Sequence, residues 1–428
     1  MTAAGRRRVL GVVLGLFGIV AGVGFAIVQL RPVRGAATPD AAARSLFQAV
    51  ADGDFFAVAQ SLVPAERAIL LDEGIPVFDD LRRLGVLQPG ASPRRLGSDG
   101  YLGRLTGFRT TAKTLRAGLV AVSIEAGVLT TTVEISKLPF GPSLRGSDGR
   151  VLGRYGTRRR SINLARTAAG RKLVMQSIGG RWGVSIAYSV AEEVRRRVNV
   201  GATRWEFPRA VDRIAPSGAD TPENAVLKFF DGVSGLDVER VVAAFSPGEM
   251  GAAQDYVEHY VPGINESLKD LDQHYSLRVP GIGLQTSVDG SRAVVRIKNI
   301  GVDASLTQTD SPDLTVSSAS GCTTVRLAEQ VHRRCGPDTI KLFADLGVPL
   351  PIDAAAALTP PGRASYGLTF VVVREQGQWF VSPLRTMLRT THEALGQLSK
   401  AQFQVRSDRV RRLIFGDSLS RTDPAVRG

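Results

Sequence analysis

The sequence predicts an α+β chain: an N-terminal transmembrane helix followed by two tandem domains, each with helices packed on a curved antiparallel sheet. Three observations predict it. There is a long uncharged run near the N-terminus, a helical segment that begins twice, and a Trp-bearing hairpin that ends twice.

The uncharged run comes first. Val9 to Leu30 carries no charge, with Arg6, Arg7 and Arg8 before it and Arg31 and Arg34 after it. As a helix it spans about 33 Å, against a bilayer core of about 30 Å. Residues 1–8 then read as a cytoplasmic tail and 9–30 as a single-pass anchor, with the bulk of the chain extracytoplasmic. The rival reading is a cleaved signal peptide, whose apolar region is normally shorter. Gly11, Gly15, Gly18 and Gly22 share one face of the anchor, which suits close approach to a second copy or to another membrane protein.

Next, residues 38–72 slide onto 221–255 without a gap. Ten of the 35 positions are identical: Thr38/Thr221, Pro39/Pro222, Ala42/Ala225, Phe47/Phe230, Val50/Val233, Asp54/Asp237, Val58/Val241, Pro64/Pro247, Glu66/Glu249 and Asp72/Asp255. Roughly two or three would coincide by chance at ordinary composition. Ala43, Leu46, Phe47 and Val50 overlie Val226, Phe229, Phe230 and Val233 at the i, i+3, i+4, i+7 spacing of a buried helical stripe. Thr followed by Pro starts the first helix, and Asp54 or Asp237 caps the second. Ser246 to Glu249, "SPGE", fits a capping box for the third helix, whereas Val63 in the first copy gives a less defined start.

The copies also end alike. "LVMQSIGGRWGVS" (173–185) and "LTFVVVREQGQWFVS" (368–382) each read as strand, Gly-containing turn, Trp and strand. Between start and end lie β-like stretches: "GLVAVSIEAG", "VLTTTVEISKL", "RAVVRIKNIG" and "DLTVSS". Domain one is expected at 38–197, a linker at 198–220, domain two at 221–398 and a basic tail at 399–428. Trp182 and Trp379 lie 197 apart against 183 for the helices, so the second copy has about 14 extra residues, a surplus that the cysteine loop and its helix can supply.

This order of helices and hairpin resembles the NTF2-like (SnoaL-like) superfamily of cone-shaped α+β domains. Both units, with "TPENAV", "SPGEM" and the G-x-W feature, are similar to membrane-anchored tandem-domain envelope proteins of actinobacteria. The resemblance implies a cone cavity in each domain, used by some members for acid–base chemistry and by others for ligand binding or assembly. Fold alone therefore names no activity.

Composition narrows the classes. Hydrophobic residues make up 43% and charged residues 22%, which suits a globular chain with sizeable cores. The net charge is +14, yet only 8 of the 54 basic residues are Lys, a skew that points to a GC-rich bacterial genome. Arg158–Arg160, Arg195–Arg197 and the looser set Arg406, Arg409, Arg411 and Arg412 read as solvated faces or as contacts for anionic lipid or wall polymer. Nucleic acid is not expected, because no aromatic interleaving or binding motif accompanies the charge.

Reactive groups are sparse. There is no G-x-S-x-G, and "GYLGRLTG" (100–107) lacks the G-K-[ST] ending of a phosphate loop. His259 and His274 are 15 apart with Pro262 between them, so no metal site is expected. No cofactor is expected either. Asp255, Tyr256, His259 and Tyr260 form the candidate cavity set of domain two. The recurrence of Asp72 and Asp255 favours a capping or ion-pairing role for that position. Cys322 and Cys335 read as one disulfide outside the cytoplasm, with two reduced buried thiols as the other possibility. The expected function is therefore binding or scaffolding at the cell envelope without catalysis. The alternative is a small-ligand receptor or an isomerase- or dehydratase-like enzyme using the domain-two cavity.

Overall fold

The computed structural model describes residues 35–93, 100–144, 156–168, 171–198, 207, 213–257, 260–266, 275–306, 314–319, 322–327, 330–335 and 369–403. The chain is α+β, and its described residues divide into two compact units. One comprises those within Met1–Ser189 and Thr391–Gly428; the other comprises those within Val190–Thr390. No helix among the described residues is long and apolar enough to cross a membrane. The anchor segment 9–30, with Gly11, Gly15, Gly18 and Gly22, lies outside the described residues.

In the first unit the helices are α1 (Pro39–Asp52), α2 (Phe55–Gln60), α3 (Pro64–Asp72) and α4 (Gly74–Arg83). Thr38 accepts from the Ala41 N–H and Asp54 from the Ala57 N–H, as their N-cap positions require. Val63 offers no side-chain cap to α3. The buried stripe of α1 is Ala42, Ala43, Ala49 and Ala51, with Leu46 and Phe47 packed beside it. Val50, expected in that stripe, is 36% exposed and lies at its border. Gly53 ends α1 at φ 65°. Leu236 occupies the matching place in the second copy at φ 49°, a left-handed conformation that a branched side chain adopts at a cost.

The sheet of this unit contains β1 (Tyr101–Arg116), β2 (Leu119–Glu134), β3 (Thr157–Asn163), β4 (Lys172–Ile178) and β5 (Arg181–Ser185), with a single helical turn, α5 (Leu164–Thr167), after β3. The stretches "GLVAVSIEAG" and "VLTTTVEISKL" fuse into the one long strand β2. At their junction Gly127 has φ 146°, and the β1–β2 register shifts nearby, between Thr106 and Arg109. Such a bulge curls a long hairpin. Strand β1 occupies one edge of β2. On the other edge β4 pairs with Leu119–Ser123 and β3 with Val128–Glu134, so the sheet is not a simple meander. Beneath it lie Ala42, Ala43, Leu62, Phe108, Val122, Met175 and Val184.

The second unit repeats this plan with α7 (Pro222–Ser234), α8 (Val238–Ala243), α9 (Pro247–Asp255), β6 (Tyr275–Asp289), β7 (Arg292–Leu306), β8 (Leu314–Ala319), β11 (Thr369–Glu375) and β12 (Gln378–Val381). Thr221 and Asp237 cap α7 and α8 by accepting from the Asn224 and Arg240 N–H groups. Again two strands share one edge of the long strand: β11 pairs with Arg292–Arg296 and β8 with Asn299–Ala304. The insertion is a hairpin, β9 (Cys322–Leu327) and β10 (Gln330–Cys335), which extends the sheet beyond β8.

Each copy finishes with a helix that follows its hairpin, α6 (Ile186–Val198) or α10 (Pro383–Gly396). The division into units falls inside both, after Ser189 and after Thr390. Each unit therefore contains the later part of the other copy's closing helix.

Start and end of a copy are joined in the same way twice. Ala36 pairs with Trp182 and Ala219 with Trp379, while Leu62 pairs with Val184 and Phe245 with Val381. Beside these bridges a buried glutamate of the third helix caps the last helix. Glu66 accepts from the Ser185 hydroxyl (2.7 Å), the Ile186 N–H (2.7 Å) and the Ala187 N–H (3.1 Å). Glu249 accepts from the Ser382 hydroxyl and the Leu384 N–H. The expected capping box is therefore absent: the Ser246 side chain makes no cap bond, and its hydroxyl donates to Glu375 at 2.6 Å instead. Replacing Glu66 by Ala strands three donors, two of them backbone. We expect Glu66→Ala to cost about 3 kcal/mol, read as a lowered denaturation midpoint, with a surface Glu125→Ala control within about 0.5 kcal/mol of wild type.

Candidate functional site

The cavity set predicted from sequence lies around the end of α9. Tyr256 follows the last residue of that helix and is 2% exposed. Its hydroxyl donates to Glu192 Oε1 at 2.6 Å. The same carboxylate receives Arg195 at 3.0 Å, a turn later on α6. The Tyr256 ring meets Phe207 edge-on at 5.4 Å, and the Arg213 guanidinium lies 5.0 Å from the Phe207 centroid. Arg213 also pairs with Asp255 at 3.6 Å. Tyr260 donates its hydroxyl to the Ala253 carbonyl at 2.6 Å. Burial, helped by Glu239, pushes the Tyr260 phenol up to about 12. His259 and His274 lie outside the described residues. The structure thus brings Asp255, Tyr256 and Tyr260 into one neighbourhood, but joins each to a separate partner. The phenol of Tyr256 is spent as a donor to Glu192, and Asp255 faces a guanidinium. The arrangement ties the linker and α6 to α9.

Glu249 is the second buried centre. The element that orders it is α9, whose Pro247 start directs Glu249 toward the end of β12. Its counterpart Glu66 is held by three donors, but Pro383 stands where Ile186 stands in the first copy and supplies no N–H. Burial pushes the Glu249 carboxyl up to about 7; the Ser382 hydroxyl, the Leu384 N–H and Arg385 oppose the rise, and nearby Glu375 adds to it. Glu375 itself accepts from the Ser246 hydroxyl and from the Gly248 N–H at 2.9 Å. Burial also raises the pKa of Glu66, against its Ser185, Ile186 and Ala187 bonds.

Cys322 and Cys335 are disulfide-bonded and face each other across the open ends of the β9–β10 hairpin. His392 approaches buried Asp80 at 2.7 Å, and Arg83 of α4 bonds the Leu395 and Leu398 carbonyls. His332 lies on β10 with Gln330 at 3.4 Å. Among the described residues no group of three His, Cys, Asp or Glu could hold a metal ion. "GYLGRLTG" is the start of β1 and its approach.

No protein-family model, curated protein or solved structure matches the chain.

The two unbroken Arg clusters differ. Arg195, Arg196 and Arg197 on α6 all pair with Glu192 or Glu193 one turn earlier. Arg158, Arg159 and Arg160 lie exposed on β3 without a carboxylate partner among the described residues. Arg406, Arg409, Arg411 and Arg412 fall outside those residues. What sequence reasoning missed was the work of Glu66, Glu249 and Glu192. For the first two the signal existed: the glutamates recur in register, and each hairpin ends in Val-Ser.

The raised pKa of Glu249 has a defined sign. Its stabilising contribution is full below the unfolded value near 4.5 and is lost as pH rises through about 7. Gln mimics the protonated acid. Glu249→Gln should match wild type in denaturation at pH 4 and exceed it by up to about 3 kcal/mol at pH 8. An equal difference at both pH values would show that Glu249 does not titrate between them.

Proposed function

We propose that the chain is a membrane-anchored, extracytoplasmic binding or scaffolding protein of the bacterial cell envelope. In this reading it is built on two NTF2-like domains and works without catalysis. The observation that carries the proposal is the Cys322–Cys335 bond, which uses both cysteines of the chain. Disulfides persist in oxidising compartments outside the cytoplasm. The uncharged run Val9–Leu30 with its flanking arginines supports the same placement.

The shared features support the absence of catalysis. What the copies have in common is exposed Thr and half-buried Asp caps, paired bridges and a buried glutamate that caps the closing helix. These groups join elements of the fold. Asp255, Tyr256 and Tyr260, on which a cavity reaction in the second domain would draw, are each engaged by a protein partner. Exposed arginines would serve anionic envelope surfaces, and the Gly11–Gly22 face a partner helix.

Two measurements on cells expressing the full chain test the proposal. The protein should remain in the membrane fraction after a high-salt or carbonate wash, at its uncleaved size. Cys322 and Cys335 should resist a thiol reagent until a reductant is added. Ready labelling in unreduced cells, or release of a shortened chain into the soluble fraction, would overturn the topology. Crosslinking in intact cells then identifies what the domains hold.

A further inference from the structure

The two copies treat one sheet edge differently. In the second, β8 lies beside β7 on one side and β9 on the other, and β10 continues the sheet. The disulfide clasps that added hairpin at its open end. In the first copy β3 is the counterpart of β8, on the same edge of the long strand, but among the described residues its other side has no neighbour. Alternate residues of such an edge point N–H and C=O groups outward, ready to pair with another strand. The second copy is the internal precedent that this position accepts an antiparallel strand.

The chemistry of the edge selects its occupant. Of the seven residues Thr157–Asn163, all but Ile162 are exposed, and three consecutive ones are Arg158, Arg159 and Arg160. Successive side chains alternate faces, so Arg158 and Arg160 flank an added strand on one face and Arg159 on the other. Their cross-strand neighbours on β2 are Val133, Thr132 and Thr131, which carry no charge. A second copy pairing through the same edge would set arginine against arginine, which is unfavourable.

We propose that the open edge of β3 is a docking site for an acidic extended peptide segment of a partner protein. The segment adds antiparallel to β3 as β9 adds to β8, with carboxylates meeting the three guanidinium groups. Backbone pairing supplies the register and charge supplies the selectivity. The idea gives the binding role a partner chemistry and rests on that reading only for its setting. The peptide assay does not depend on the anchor or the disulfide, so the two can fail separately.

The test uses the full-length protein in detergent and a fluorescein-labelled nine-residue peptide of alternating Glu and Val, followed by anisotropy. Wild type should bind it with an affinity that falls as salt is raised. Arg158→Glu/Arg160→Glu should weaken binding by at least tenfold, with an unchanged circular dichroism spectrum, because both side chains are exposed. The same peptide N-methylated at alternate residues keeps its charge but cannot pair along an edge, and it should bind at least tenfold more weakly. Equal binding of the methylated peptide would overturn strand addition, leaving only charge attraction. Failure of the unmodified peptide to bind, while the double variant loses affinity for vesicles containing phosphatidylglycerol, would overturn the proposal and assign the arginines to the membrane surface.

Discussion

A glutamate buried at the closure of each copy is the constraint on which the fold depends. Glu66 and Glu249 sit near the starts of α3 and α9, yet their carboxylates cap α6 and α10, about 120 and 133 residues later in the chain. A helix N-terminus leaves N–H groups without intrahelical partners and carries a partial positive charge. A carboxyl group from a distant element supplies the missing acceptor, although burial raises the pKa of both glutamates. It also fixes where the chain must turn from the last strand into the last helix. The flanking bridges, Leu62 to Val184 and Phe245 to Val381, place the third helix beside that turn in each copy. Without the carboxylate, the hairpin would still pair but the closing helix would have no defined origin.

The device is held by different donor sets in the two copies. Three donors serve Glu66, whereas Pro383 removes one backbone donor from the site of Glu249. Proline at the first helical position is locally favourable, since its φ suits the helix and the missing N–H is normally an orphan there. Here the orphan has a use, so a locally favourable choice weakens a long-range one. Arg385 supplies a charge in partial compensation, while Glu375 works against it. Local helix chemistry and tertiary capping thus compete at a single residue.

Much of the architecture was legible because repetition separates signal from composition. Thr38, Thr221, Asp54 and Asp237 cap the helices that their positions implied, and both terminal hairpins form around Trp182 and Trp379. The errors arose where a local pattern and a distant partner gave different answers. "SPGE" satisfies the local capping-box pattern, but Ser382 and the start of α10 compete for Glu249 and win, because that site is buried. Two predicted strands became one because Gly127 reads as a break in sequence, whereas the register shifts beside it act as a bend in the sheet. The neighbourhood of Asp255, Tyr256 and Tyr260 was found, but its partners Glu192, Arg213 and the Ala253 carbonyl were not. No periodicity announces a contact between a linker, a closing helix and α9.

Divergence between the copies is concentrated in the sheet rather than in the helices. Caps, bridges and the buried glutamate are retained, because each gives backbone groups a partner: an N-cap is worth about 1 kcal/mol, and each donor left stranded at the buried glutamate about 1–3 kcal/mol. The outer edge of β3 or β8 faces no such penalty, since water satisfies an exposed strand. It was therefore free to acquire a disulfide-clasped hairpin in one copy and a run of three arginines in the other. Both outcomes guard the same vulnerable edge. The hairpin covers β8 and moves the edge of the sheet out to β10, while adjacent like charges on β3 disfavour pairing with its own duplicate.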